Sequence, residues 1–201
     1  VGATVFASYN KATAYDPADI GLTAIPDFER FTLNPKLFLY LDKTEVQVGF
    51  NYVTENRLGG NMEYVKGNST TGYFERNNTD RFSTQLMATH KFSEHTRIQL
   101  KNSVSLFDRS IGIPDYTFGG KQVSSFSEAN ISTSNEKMEW IGGFNLWTEN
   151  FNQSQGDPDQ DLSFSNATIG AFIQNTWNIA EKWTLETGLR GDYQTDYGTY
   201  I

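Results

Sequence analysis

Along most of the chain apolar and polar residues alternate with a period of two, as in strands with one dry and one wet face. From Thr44 one face reads Val46, Val48, Phe50, Tyr52 and the other Glu45, Gln47, Gly49, Asn51. Phe82, Leu86, Ala88 and Phe92 oppose Ser83, Gln85, Thr89 and Lys91, and Ile98, Leu100, Val104 and Leu106 oppose Arg97, Gln99, Lys101, Ser103 and Ser105. Near the end, Ala167, Ile169, Ala171, Ile173, Trp177 and Ile179 alternate with Thr168, Gly170, Gln174 and Asn178; Trp183, Leu185 and Leu189 then oppose Thr184, Glu186, Arg190 and Asp192. The spacing predicts roughly nine strands, over about 3–14, 30–41, 44–55, 79–92, 96–107, 124–134, 137–149, 166–179 and 183–193. Each runs about 10–14 residues, longer than the about 5–6 of a globular strand and close to the about 9–11 of a tilted transmembrane strand.

The connections alternate in kind. Short turns are expected at Asp42-Lys43, Ser93-Glu94-His95, Asn135-Glu136 and Ala180-Glu181-Lys182. Long loops are expected at about 15–29, 55–78, 108–123 and 150–164, with another opening near Tyr193. Short turns on one side and long loops on the other are the asymmetry of outer-membrane barrels. Phe92, Trp177 and Trp183 fall beside the short turns, and Phe50, Tyr52, Phe144 and Tyr193 toward the loops, as interfacial aromatic girdles would. The expected fold is therefore all-β: a segment of an antiparallel up-and-down transmembrane barrel in a bacterial outer membrane, facing lipid on one side.

Composition narrows the chemistry. The chain has 201 residues, no cysteine and a net charge of −8, so disulfides, thiolate metal sites and cysteine catalysis are excluded. The acidic balance, without a basic cluster in sequence, argues against nucleic acid. Mean hydropathy is −0.53, and no apolar run approaches the roughly 18 residues of a membrane helix. A barrel strand shows lipid only every second residue, so this value fits it equally well. His90 and His95 stand beside a short turn with no accompanying metal-ligand motif, and no spacing singles out a nucleophile or acid–base pair. No enzymatic activity and no cofactor are expected. Asp157-Pro-Asp159-Gln-Asp161 resembles the opening of a calcium loop, but Leu162 and Thr168 stand where an EF-hand needs glycine and glutamate. A looser calcium site and a solvated acidic loop both fit. Tyr73, Phe74, Tyr116, Phe118 and Phe151, placed in the long loops, are candidates to stack on a ligand, to help close a pore or to pack the loops together. Gln99, Lys101, Glu186 and Arg190 are expected to face inward, toward a lumen or its contents.

The hairpin from Ala167 to Tyr193, with Gln174, Trp177, Gly188, Leu189, Arg190 and Asp192, resembles the barrel of TonB-dependent receptors. Gly49-Phe50-Asn51-Tyr52 with Glu55-Asn56-Arg57-Leu58-Gly59-Gly60 is similar to siderophore- and cobalamin-type members, as is Phe107-Asp108-Arg109-Ser110. The resemblance implies one partial barrel domain over 1–201 belonging to a wall of about 22 strands, without the plug domain. It implies energy-coupled import of a bulky, scarce small molecule such as a ferric siderophore or cobalamin. The implied partners are outer-membrane lipid, the rest of the barrel and plug, and TonB through that plug. Roughly nine strands with open edges and an end in an apparent outer loop at Asp196–Ile201 are expected to belong to a longer protein. Two other classes share the pattern: a small complete outer-membrane barrel (porin, adhesin or structural protein) and a soluble carbohydrate-binding β-sandwich.

Overall fold

A computed structural model describes residues 1–200; Ile201, the end of the expected terminal loop, lies outside the described residues. The chain forms one ten-stranded antiparallel sheet in strict sequence order, β1 through β10, without crossovers. The strands are β1 (Gly2–Ala12), β2 (Asp27–Tyr40), β3 (Thr44–Gly60), β4 (Phe74–Lys91), β5 (Thr96–Ile113), β6 (Tyr116–Ser134), β7 (Met138–Gln155), β8 (Phe164–Ala180), β9 (Trp183–Gln194) and β10 (Gly198–Tyr200). One helical turn, α1 (Met62–Val65), lies between β3 and β4. β1 and β10 are the edges and do not pair, so the sheet is not closed. A single sheet is also not the two-layered sandwich that was one of the expected alternatives.

The short turns fall where expected, between β2 and β3, β4 and β5, β6 and β7, and β8 and β9. The opposite end differs. The expected loop 108–123 is strand: β5 and β6 pair from Ile113↔Tyr116 inward, leaving only Pro114 and Asp115 as the turn. Asp115 takes a positive φ of 62° there, a conformation Asp tolerates. The loops 55–78 and 150–164 shrink to 61–73 and 156–163, and the opening near Tyr193 is a tight reversal into β10. The central strands β3 to β8 accordingly have 17 to 19 residues. The extensions were not visible in the pattern because both faces become polar beyond the apolar band, while the hydrogen-bond ladder continues.

Among the described residues no hydrophobic side chain is fully buried, so the sheet has no core of its own. Register sorts the side chains onto two faces. Across the apolar face run rows such as Leu37–Val48–Leu86 and Leu100–Ala129–Phe144–Ala171. The apolar band is bounded toward the loops by Phe31 in β2, by Tyr52, Phe82, Leu106 and Val123 in β3 to β6, and by Leu146, Ile169 and Tyr193 in β7 to β9. Followed through the register, this edge drops three cross-strand rows, six residues, between β2 and β9. The turn-side edge drops by the same amount, from Leu39–Val46 to Trp177–Leu185. Six residues are about 20 Å along a strand and seven interstrand steps about 34 Å across, so the strands cross the band at about 30° from its normal. Transmembrane barrel strands tilt by about 35–45°.

Most polar intrusions into the band are satisfied laterally. Asn102 Nδ2 donates to Ser127 Oγ at 2.9 Å and to the Phe126 carbonyl at 3.3 Å, and Ser125 and Thr148 hydroxyls meet at 2.7 Å. Thr84 Oγ1 accepts from the Val104 N–H at 3.1 Å, and Asn175 Nδ2 donates to the Glu139 carbonyl at 3.2 Å. A polar atom facing hydrocarbon costs several kcal/mol unless so paired, about 4–8 on the least forgiving scale.

Aromatic residues mark both borders. Trp140, Trp177, Trp183 and Phe92 stand at the turn side of the band, all exposed. On the loop side the Tyr52 hydroxyl donates to Asp80 at 3.2 Å while its ring stays in the apolar row. Phe144 and Phe50 each lie one row inside this border, next to Leu146 and Tyr52.

Candidate functional site

The opposite face is polar, and Gln99, Lys101, Glu186 and Arg190 all lie on it, as the alternation predicted. Lys101, Glu128, Asn145, Gly170 and Asp192 form one straight cross-strand row over β5 to β9. Lys101 Nζ and Glu128 Oε1 pair at 2.9 Å, and Asn130 Nδ2 donates to the same Glu128 oxygen at 3.0 Å. The Arg190 guanidinium forks onto Asp192 with Nε at 2.7 Å and Nη2 at 2.6 Å. Its Nη2 also reaches across β8 to Asn145 Oδ1 at 3.5 Å, a side chain that is only 4 % exposed. That reach needs a glycine in between. A Cβ on Gly170 would lie 2.2 Å from Asp192 Oδ1, 2.8 Å from Asn145 Oδ1 and 2.9 Å from Arg190 Nη2.

Nearer the loop end, the polar face carries aromatic rings. Phe118 and Phe151 stack at 6.2 Å and Phe151 and Phe164 at 5.8 Å, a ladder crossing β6, β7 and β8. A Cβ on Gly120, beside the register shift at Gly119/Gly120, would sit 2.4 Å from the Phe151 ring, so the glycine is what leaves room for it. Phe126 and Trp147 meet edge to face at 6.2 Å one row group further in. Phe164, Phe126 and Trp147 were missed in the sequence because only strand register reveals their neighbours. Phe151 touches both other rings, and aromatic pairs add about 0.5–1.5 kcal/mol beyond area burial. Phe151→Ala is therefore expected to destabilise more than Phe118→Ala or Phe164→Ala, measured as unfolding free energy in detergent. Equal losses would show that the ladder does not act as a unit.

The five predicted aromatic ligand residues do not form one site. Phe118 and Phe151 are strand residues in the ladder, and Tyr116 stands at the tip of the β5–β6 hairpin. Phe74, the first residue of β4, stacks flat on Tyr64 of α1 at 4.5 Å. Tyr73 precedes it with its side chain exposed and its carbonyl accepting from the Asn61 N–H at 2.7 Å. Asn61 also caps α1, its side chain accepting from the Glu63 and Tyr64 N–H groups. Phe74 thus packs the loop, one of the roles left open. Loop 13–26 joins the same knot through Met62 N–H to the Gly21 carbonyl and Thr23 N–H to the Gly60 carbonyl, each 2.9 Å.

The acidic loop does not converge on a cation. Among the described residues no group of three or more Asp, Glu or His side chains is placed to hold a metal. Asp157 Oδ1 instead accepts from the Asp159 N–H at 3.0 Å, and Asp161 Oδ1 from the Ser163 N–H at 2.9 Å. The bonds from the Ser163 hydroxyl and N–H hold the Asp161 carboxyl below its usual range. These carboxylates cap turns, as Asx side chains do. His90 Nδ1 is bonded to Thr44 Oγ1 at 2.8 Å, and His95 lies apart from it in the turn.

No helix among the described residues is long and apolar enough to cross a membrane. Comparison with protein-family models, with curated proteins and with solved structures returns no match.

Proposed function

We propose that this sheet is wall from an outer-membrane β-barrel, and that the barrel is an energy-coupled receptor of the TonB-dependent kind importing a bulky small molecule. The carrying observation is the slanted apolar band, most of whose polar side chains are paired laterally and whose borders hold Trp and Tyr, set against a face rich in charged groups. Charge at the depth of the hydrocarbon is tolerated where it meets water or protein. Lys101, Glu128 and Arg190 lie level with Leu100, Ala129 and Phe144, so the polar face is the lumenal one in this reading. The receptor identity draws on the resemblance of the Ala167–Tyr193 hairpin. The row from Lys101 to Asp192 would face lumen contents, and the loop-end aromatic ladder would meet the incoming ligand.

Two measurements test the two levels. Single-tryptophan variants of the intact protein are reconstituted with lipids brominated along the acyl chain. Trp177 and Trp183 are expected to be quenched by bromine near the interface, and Trp147, on the other face, to be spared. Equal quenching of all three, or a folded monomer in water without detergent, would sink the barrel wall. For import, ligand uptake is followed with and without a protonophore; uptake that survives loss of the proton gradient would point to a passive pore instead.

A further inference from the structure

We propose that the loop-end part of the polar face on β2 to β5 is a binding site for a compact, multiply anionic small molecule held by Arg30, Arg57, Arg81 and Arg109. The proposal rests on the barrel-wall reading for which compartment this face meets, and it assigns the chemical class of the ligand.

Register brings the four arginines together from far-apart positions in sequence. Arg30, Glu55, Thr79 and Arg109 form one cross-strand row; Arg57 with Asn77 lies in the next row outward, and Arg81 with Phe107 in the next row inward. All four side chains are on the same face. Against them stand Glu55 and, one row beyond Arg57, Glu75. Glu55 is already shared: Arg30 pairs with one of its oxygens and Arg57 Nη2 lies 3.3 Å from the other. Among the described residues neither Arg81 nor Arg109 has a carboxylate within ion-pair distance. Arg81 lies over the Phe107 ring at 4.5 Å, and Arg109 Nε donates to Asn77 Oδ1 at 3.1 Å. The Nε of Arg57 is shielded from solvent and has no hydrogen-bond partner.

A local excess of positive charge in a chain of net charge −8 requires a cause. Like charges on neighbouring strands repel, and a fold that holds them side by side is destabilised unless a counter-charge arrives. The missing counter-charge is the ligand. Guanidinium forks match the geometry of carboxylate and phosphate oxygens and bind them bidentately. Phe28, which Arg57 overlies at 5.6 Å, and Phe107 give the site an apolar floor that holds the guanidiniums flat and open on their outer edges. The overall negative charge opposes long polyanions such as nucleic acid, so the fit is to a small molecule carrying several oxyanions close together.

The intact protein in detergent micelles is titrated calorimetrically with citrate, with pyrophosphate and with a neutral trisaccharide. At least one anion is expected to bind and the trisaccharide to give no heat; which anion binds tells polycarboxylate from phosphate chemistry. Removing two charged forks in Arg81→Gln/Arg109→Gln is expected to weaken binding by about tenfold or more. Arg81→Lys/Arg109→Lys, which keeps charge and loses the fork, is expected to fall between. The lipid-quenching pattern of Trp177 and Trp183 must match the wild type in both variants, which shows that they fold. No binding of either anion by the wild type, as when an acidic protein segment already occupies the arginines, overturns the proposal, as does unchanged affinity in the glutamine variant. Anion binding without lipid quenching of those tryptophans would keep the site and remove the barrel wall.

Discussion

Leu100→Arg is expected to cost about 2–4 kcal/mol of unfolding free energy in lipid vesicles, the range for a cation at the bilayer midplane. Leu100 lies in the middle row of the apolar band, between Ala88 and Ala129, and its side chain is exposed because a single sheet has nothing to cover it. In water the same exposed leucine would be replaceable at almost no cost, since surface changes usually fall within about 0.5 kcal/mol. The paired control is Asn78→Arg. Asn78 lies on the same face of β4, four residues past Phe82 and beyond the band's border. A cation there is expected to cost about 0–1 kcal/mol. The contrast of two substitutions on one face separates hydrocarbon from water as the medium, independently of what the protein does. Chemical denaturation of folded protein in vesicles reads both values, and losses of equal size would sink the claim that the apolar face meets lipid.

The band that sets this contrast was legible in the sequence, because alternation at period two survives wherever one face is uniformly apolar. Val46 to Tyr52, Ile98 to Leu106 and Ala167 to Trp177 gave the strands, their direction and their short turns without any knowledge of register. The faces of Gln99, Lys101, Glu186 and Arg190 followed from the same parity. What failed lies outside the band. Residues 108–123 read as a loop because Asp108, Ser110, Gly112, Gly119 and Lys121 interrupt the apolar pattern, yet their backbones pair without a break from Ile113↔Tyr116 inward. Hydrogen bonding, not side-chain burial, holds those extensions, and period-two hydropathy is blind to it. Phe118 and Phe151 were therefore chosen as loop aromatics when they are strand neighbours. The arginine group was invisible for a related reason: Arg30, Arg57, Arg81 and Arg109 are spread along four strands, and only the pairing sums of β2 to β5 stack them. The resemblance to TonB-dependent receptors, which rests mainly on the Ala167–Tyr193 hairpin, carries no strand register and so could not bring these residues together.

Gly170→Val is expected to cost about 2 kcal/mol, within the about 1–3 typical of overpacking. Its cause is local and specific. The row from Lys101 to Asp192 crosses β8 at a residue without a side chain, and the space a Cβ would fill is taken by three polar atoms of Asp192, Asn145 and Arg190. A valine displaces the Asp192 carboxylate first, because that contact is the closest at 2.2 Å. Moving it breaks the bidentate fork to Arg190 and withdraws the guanidinium from the nearly buried Asn145. The exposed Arg190–Asp192 pair by itself contributes little, about 0–1 kcal/mol, so most of the loss is steric and desolvation of Asn145. Asp192→Ala alone is accordingly expected to cost under about 1 kcal/mol. Combining the two changes removes the nearest clash, so Gly170→Val/Asp192→Ala is expected to be more stable than the sum of the single losses by about 1 kcal/mol, a coupling that neighbouring residues commonly show. Unfolding free energies of the four proteins in vesicles close the cycle. Strict additivity would mean that the valine does not act by displacing the Asp192 carboxylate.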